Sequence, residues 1–158
     1  MQAKLAMHKR IVVLTEGKLG LFTSKTAASV LRYRRDDGVA VLDSSKAGQK
    51  IEQWIPWAAG IPIVASMGEV MALKPDALLV GVATIGGVLP PGMRGHIAAA
   101  LAAGVDVISG LHVMLGQDAE FAPLAARHGA KVWDVRDAEG FAIVASGKAA
   151  MLPVKRVL

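Results

Sequence analysis

A chain of 158 residues fits a single domain and is long enough to bury a sizeable core. With 53% hydrophobic and only 20% charged residues it is not a disordered chain, and with no cysteine it has no disulfide, no thiolate metal site and no cysteine nucleophile. Its net charge of +5 comes with only 4% aromatic residues and no long basic stripe, so neither the electrostatic track nor the stacking platform of a nucleic-acid binder is present.

Residues 1–9 read as a loose lead-in. Lys4, Lys9 and Arg10 precede an apolar run, residues 11–14, that is far too short for the core of an export signal, so the cytoplasm is the expected compartment. Residues 10–14 form the first predicted strand, followed by Thr15-Glu16-Gly17-Lys18-Leu19-Gly20. A dinucleotide-binding turn would carry G-x-G-x-x-G here, and only Gly17 and Gly20 are present. Thr23 or Ser24 caps a helix running to about Arg34, with Ala27, Ala28, Val30 and Leu31 on its apolar side. Ser24-Lys25-Thr26 looks like the end of a P-loop, but the glycine spacing fails; Lys25 is either a phosphate contact or a solvated first-turn residue. Arg32, Arg34, Arg35, Asp36 and Asp37 read first as a solvated helix end and turn, with a 2′-phosphate contact as the second reading. Residues 39–42 are strand two, ending at Asp43, where nucleotide-binding folds hold a pair of ribose hydroxyls. The alternative is that Asp43 caps its own turn with Ser44 and Ser45.

Residues 47–58 have the apolar spacing of a helix, on which Trp54 and Trp57 serve for packing rather than ligand stacking. Residues 61–65 are strand three. Ser66-Met67-Gly68-Glu69 is a capping box, which engages Ser66 and Glu69 at a helix terminus rather than in catalysis. That helix ends near Lys74-Pro75.

Residues 78–112 organise the rest. Residues 78–82 form a continuous apolar run, as in a parallel strand covered on both faces. Thr84, Gly86 and Gly87 make a tight turn that exposes backbone N–H groups, and Pro90 and Pro91 suit a first helical turn. The alanine-rich helix through residues 96–103 stops at Gly104. Strand five, residues 105–109, delivers Ser109, Gly110 and His112 to its carboxyl end, the edge where open α/β sheets bind ligands. Gly104, Asp106 and Gly110 interrupt this region, so it is no membrane span. Asp118 caps a further helix to His128, stopped by Gly129, and residues 131–135 are strand six.

Six strands alternating with five helical patterns predict an α/β, Rossmann-like open parallel sheet, helices on both faces and a strand order of 3-2-1-4-5-6 over residues 10–137. Residues 138–158 read as a linker and the start of a further strand. His8, His96, His112 and His128 lie on separate elements without ligand spacing, so no metal site is expected.

Glu16-Gly17-Lys18, the segment from Leu42 through Asp43 to Gly48, Gly86-Gly87 with Leu89-Pro90, the segment from Gly104 through Asp106 to His112, and Asp134-Val135-Arg136 together resemble one bacterial family. It was long catalogued as a domain of unknown function, is often labelled an NAD-dependent epimerase/dehydratase, and includes the DgcN-type D-glutamate N-acetyltransferases. The resemblance covers nearly all of residues 10–158. It implies a Rossmann-like domain followed by a P-loop domain, so this chain is expected to be the N-terminal half, with its own C-terminal P-loop domain as partner and not catalytically complete alone. It also implies transfer of acetyl from acetyl-CoA to the amine of a D-glutamate-type amino acid.

Such chemistry needs a base for the ammonium proton and a donor for the thioester oxyanion. From position, His112 is the candidate base, since imidazole titrates near neutrality. The Gly86 and Gly87 amides, with Gly17, Lys18 and Asp43, are the candidate cofactor-binding set, and Ser109 and Arg136 the candidate substrate contacts; Lys18 or Arg136 suits a carboxylate. Two alternatives remain: an NAD(P)-binding epimerase/dehydratase-type domain, opposed by the missing glycine pattern and by the lack of Tyr-x-x-x-Lys around Tyr33, and a non-catalytic oligomerisation or docking domain. Homo-oligomerisation is expected in any case.

Overall fold

The computed structural model describes residues 7–137, so the predicted linker and strand start at 138–158, and all but the end of the lead-in, lie outside the described residues. In chain order the elements are β1 (Ile11–Leu14), α1 (Lys25–Tyr33), β2 (Gly38–Leu42), β3 (Ile63–Val64), α2 (Met67–Ala72), β4 (Ala77–Val80), α3 (Arg94–Ala102), β5 (Asp106–Ser109), α4 (Phe121–His128) and β6 (Val132–Asp134). The strands form one sheet in the order β3-β2-β1-β4-β5-β6, every pair parallel. The expected topology is the observed one.

β1 sits at the centre because all four of its side chains are apolar and none is exposed by more than 1%. Val12 and Leu14 enter one core with Leu78, Val80, Ile97, Leu101 and Phe121; Ile11 and Val13 enter the other with Ala27, Leu31, Ile51 and Ile55. That alternation gives a strand two apolar faces and demands helices above and below. α1 comes unusually close to the sheet: the Ala27 N–H donates to the Gly81 carbonyl at 2.8 Å, just past β4. A Cβ on Gly81 would lie 2.5 Å from Val13 Cγ1 and 3.0 Å from Ala27 Cβ, so only glycine permits this contact.

The predicted helix over residues 47–58 is not formed. The segment is a succession of turns around one 3₁₀ turn, Ile51–Gln53. Gly48 takes a positive φ of 75°, and Pro56 cannot donate the backbone bond a helix needs. Ile51, Ile55 and Ala58 still point into the core, which is why the spacing looked helical. The tryptophans do pack: Trp57 Nε1 donates to the Ala28 carbonyl at 2.9 Å, and Trp54 lies under the Lys46 ammonium. Nor do Thr23 or Ser24 cap α1. Their hydroxyls turn back to the Lys18 and Gly20 carbonyls at 2.6 and 2.7 Å and tie the β1 loop to the helix start. Pro91 opens a 3₁₀ turn, Pro91–Met93, ahead of α3. The Ser66–Glu69 capping box is present on α2, and Gly129 ends α4 at φ 70°.

The amino edge of the sheet is closed by internal pairing. His8 is buried and its Nε2 donates to Asp106 Oδ2 at 3.0 Å; Trp133 Nε1 donates to the same oxygen and the Lys131 N–H to the other. Burial alone would raise the Asp106 pKa, but the bonds from Trp133, His8 and Lys131 outweigh it and hold the carboxyl below its usual range. Asp76 likewise accepts the Lys9 and Arg10 N–H groups.

One surface clamp gives a pH-dependent contribution. Arg94 donates to both oxygens of Asp118, at 2.7 and 3.0 Å, and to Glu120, while its guanidinium lies 4.4 Å over the Phe121 ring. The bonds from Arg94 hold the Asp118 carboxyl down at about 2. Because the folded pKa lies below the unfolded one, this stabilisation is complete above the ordinary carboxylate value near about 4 and is lost as pH falls toward 2. Asp118→Asn is expected to melt below the wild type at pH 7, with the gap closing by pH 2; thermal melts followed by circular dichroism at the two pH values check it.

Candidate functional site

Two groups of predicted residues end at the carboxyl edge of the sheet, and the structure treats them differently. The first belongs to the loops after β1 and β2. Asp43 is fully buried, with Oδ2 accepting from Thr15 Oγ1 at 3.1 Å and the Leu19 N–H at 3.0 Å, and Oδ1 accepting from the Ser45 N–H and hydroxyl. Burial would raise its pKa; the hydrogen bonds from Ser45, Leu19, Gly17 and Thr15 prevail and keep it lowered. Both oxygens are thus engaged by the chain itself. Of the two roles the sequence left open, the geometry is that of the turn-capping one. Gly17 turns the loop at a positive φ of 71°, and Lys18 is exposed and makes no ion pair among the described residues.

The second group does converge. After β4 the chain turns through Thr84, Gly86 and Gly87, both glycines at positive φ, of 72° and 64°. The Gly87 carbonyl accepts the His112 N–H at 3.0 Å, which fixes the loop after β5 against the loop after β4. The contact is so close that a Cβ on Gly87 would lie 2.4 Å from His112 Cγ and 2.6 Å from its Cβ. The imidazole itself is exposed and makes no hydrogen bond to the described residues. Arg136, after β6, donates from Nε to the Gly110 carbonyl at 2.8 Å, and its outer nitrogens, which donate to none of the described residues, have the geometry for a bidentate oxyanion contact. Gly87, Gly110, His112, Arg136, Thr84 and Thr26 line one cleft of about 90 Å³.

Two of the expected roles need correction. Ser109 is fully buried and its Oγ accepts the Leu111 N–H, so it shapes the turn before His112 and does not line the cleft. The Gly87 N–H donates to the Thr84 carbonyl inside the turn; the Gly86 amide has no acceptor among the described residues. Gly17, Lys18 and Asp43 do not line this cleft.

The sequence reading also missed residues. Thr26 enters the cleft from α1. Glu16 accepts from both the Ser44 N–H and the Ser44 hydroxyl, and its Oε2 lies 3.6 Å from His96 Nε2 on α3, so one carboxylate links the β1 loop, the β2 loop and α3 beside the point where strand order reverses. No local motif announces that triangle, because its members are 28 and 52 residues apart in sequence from Ser44 to Glu16 and from Ser44 to His96. Among the described residues no group of three or more His, Asp or Glu side chains is placed to hold a metal, and no helix is long and apolar enough to cross a membrane.

Comparison with known proteins places this geometry. A family described as a domain of unknown function, DUF1611_N, Rossmann-like domain, matches residues 44–138. The crystal structure of a DUF1611 family protein from Anabaena variabilis ATCC 29413, at 2.30 Å resolution, is similar over 92% of this chain, with 34% sequence identity and a TM-score of 0.78. This chain spans 42% of the length of that protein. No curated protein matches.

Proposed function

The chain belongs to the DUF1611 family by its N-terminal Rossmann-like domain, and from that membership we propose that it is the first domain of an acetyl-CoA-dependent N-acetyltransferase acting on a D-glutamate-type amino acid. The observation that carries the reading is the convergence of His112, Gly87 and Arg136 on one small cleft. A cleft of about 90 Å³ holds the head of an amino acid and not a whole coenzyme. The free outer edge of Arg136 suits the carboxylate, and the unpaired His112 imidazole suits the ammonium proton.

In this reading His112 removes a proton from the substrate ammonium, and the freed amine attacks the thioester carbonyl. Negative charge gathers on the carbonyl oxygen, for which the Gly86 N–H, in the turn beside the cleft but not lining it, is the candidate donor. The C–S bond then breaks as the nitrogen gives up its second proton, the amide remains, and the coenzyme leaves as a thiolate that takes up that proton. The P-loop domain of the family protein would hold the coenzyme phosphates, and the reaction would run in the cytoplasm.

Calorimetry of the chain against D-glutamate, L-glutamate, acetyl-CoA and NAD tests the proposal. D-glutamate is expected to bind, with affinity at least about tenfold weaker in Arg136→Met, as expected for a lost charge-assisted contact, and reduced in His112→Ala. Tight NAD binding, or no loss on changing Arg136, overturns it. Asp43 gives the NAD(P) alternative no support, since its oxygens are occupied internally. One observation favours a docking or oligomerisation role: Ile85 is fully exposed, and Val88 and Val113, which flank the same turn and His112, are 54% and 38% exposed.

A further inference from the structure

α1 presents a different stripe to a second groove. Lys25, Ser29 and Arg32 recur at i, i+4 and i+7 and therefore share one helical face. With Leu21, Tyr33 and Trp57 they line a groove of about 280 Å³ that is separate from the His112 cleft and shares no residue with it. The wall is fixed, because Trp57 is anchored through Nε1 to the Ala28 carbonyl.

What distinguishes the groove is how its cations are held. Arg10, Arg34, Arg35, Arg94 and Arg136 all donate hydrogen bonds to carbonyls or carboxylates of the chain. Arg32, like the exposed Arg127 on α4, donates none among the described residues, and of these two only Arg32 lines the groove and lies against aromatic rings. Its exposed guanidinium lies over two rings, 5.0 Å from the Trp57 centroid and 5.8 Å from that of Tyr33. Stacking fixes the plane of a guanidinium while leaving its N–H edge open, which is the arrangement that receives an oxyanion. Among the described residues Lys25 has no ion pair and the Ser29 hydroxyl has no partner. α1 contains no acidic residue, and the nearby Asp37 is occupied by Arg34 and Lys9.

We propose that this groove binds a small phosphomonoester carried on a flat ring. Two cations match the two charges of the phosphate, a hydroxyl between them serves a third oxygen, and Leu21, Tyr33 and the edge of Trp57 cover the ring. A carboxylate has one charge and two oxygens and would leave one of these donors unused. The groove is too compact and open for a dinucleotide. This site is independent of the acetyltransferase reading.

The test is a titration of the isotopically labelled chain with phenyl phosphate and, separately, inorganic phosphate, following the Trp57 indole N–H by NMR. Phenyl phosphate is expected to shift that signal saturably and to bind more tightly than inorganic phosphate. Lys25→Met and Arg32→Lys are each expected to weaken it at least about tenfold, and Ser29→Ala less. Arg32→Lys keeps the charge and loses the fork, and exposed Lys25 can be changed without disturbing the core, so one informative variant folds in any case. D-glutamate binding should be unchanged in both. Absence of a saturable shift, or wild-type affinity in either of the two variants, overturns the proposal.

Discussion

Replacing Asp43 with alanine is expected to lower the folding stability by about 3–5 kcal/mol, measured by urea unfolding at pH 7. The carboxylate is fully buried and accepts from Thr15, Leu19 and Ser45. Removing it strands the Leu19 N–H and leaves the Thr15 hydroxyl, itself fully buried, with only a long 3.5 Å contact to the Leu42 carbonyl, at about 1–3 kcal/mol each. Asp43→Asn keeps the volume but turns an amide nitrogen toward donors, and is expected to recover part of the loss only. The pH dependence has a definite sign. The folded pKa is lowered, so the stabilisation is complete above the ordinary carboxylate value near about 4 and disappears as pH falls through the folded value. The wild type should therefore lose stability on acidification from pH 4 downward more steeply than Asp43→Asn. If Asp43 held a ribose instead, the alanine variant would keep its stability and lose nucleotide affinity.

The same residue shows what a sequence conveys and what it withholds. The buried strands were legible because unbroken runs such as Ile11–Leu14 and Ala77–Val80 admit no exposed face, and alternation with helices then leaves few strand orders. The capping box at Ser66 and the stop at Gly129 were legible because each rule involves only near neighbours. Asp43 was ambiguous because its donors come from a loop 24 to 28 residues away as well as from Ser45. The segment before β3 misled because Ile51, Ile55 and Ala58 keep helical spacing while Gly48 and Pro56 prevent the helix. In the candidate site, Gly87, His112 and Arg136 could each be assigned to the carboxyl edge from strand order alone. That His112 lies on Gly87, whereas Ser109 points inward, depends on the register of one turn. Gly81 passed unnoticed since its role is an approach between α1 and β4, not a turn.

That His112–Gly87 contact supplies the second large effect. Gly87→Ala is expected to reduce stability by about 1–2 kcal/mol, because an L-residue is forced to a φ of 64°. It is also expected to displace the imidazole, since the new Cβ would fall 2.4 Å from His112 Cγ. The atoms struck are Cβ, Cγ and Cδ2, near the root of the side chain, so a small adjustment at the tip cannot relieve the clash. The exposed ring must swing away from the cleft, and D-glutamate binding should fall with it. A double-mutant cycle separates the two consequences. In a His112→Gly background, where Cβ is removed together with the ring, the steric part is relieved and only the backbone part remains, so Gly87→Ala should cost less there, by about 0.5–3 kcal/mol of coupling. Equal costs in both backgrounds would mean that the imidazole does not rest on Gly87 in solution, and the cleft would then lose the feature that assigns His112 its role.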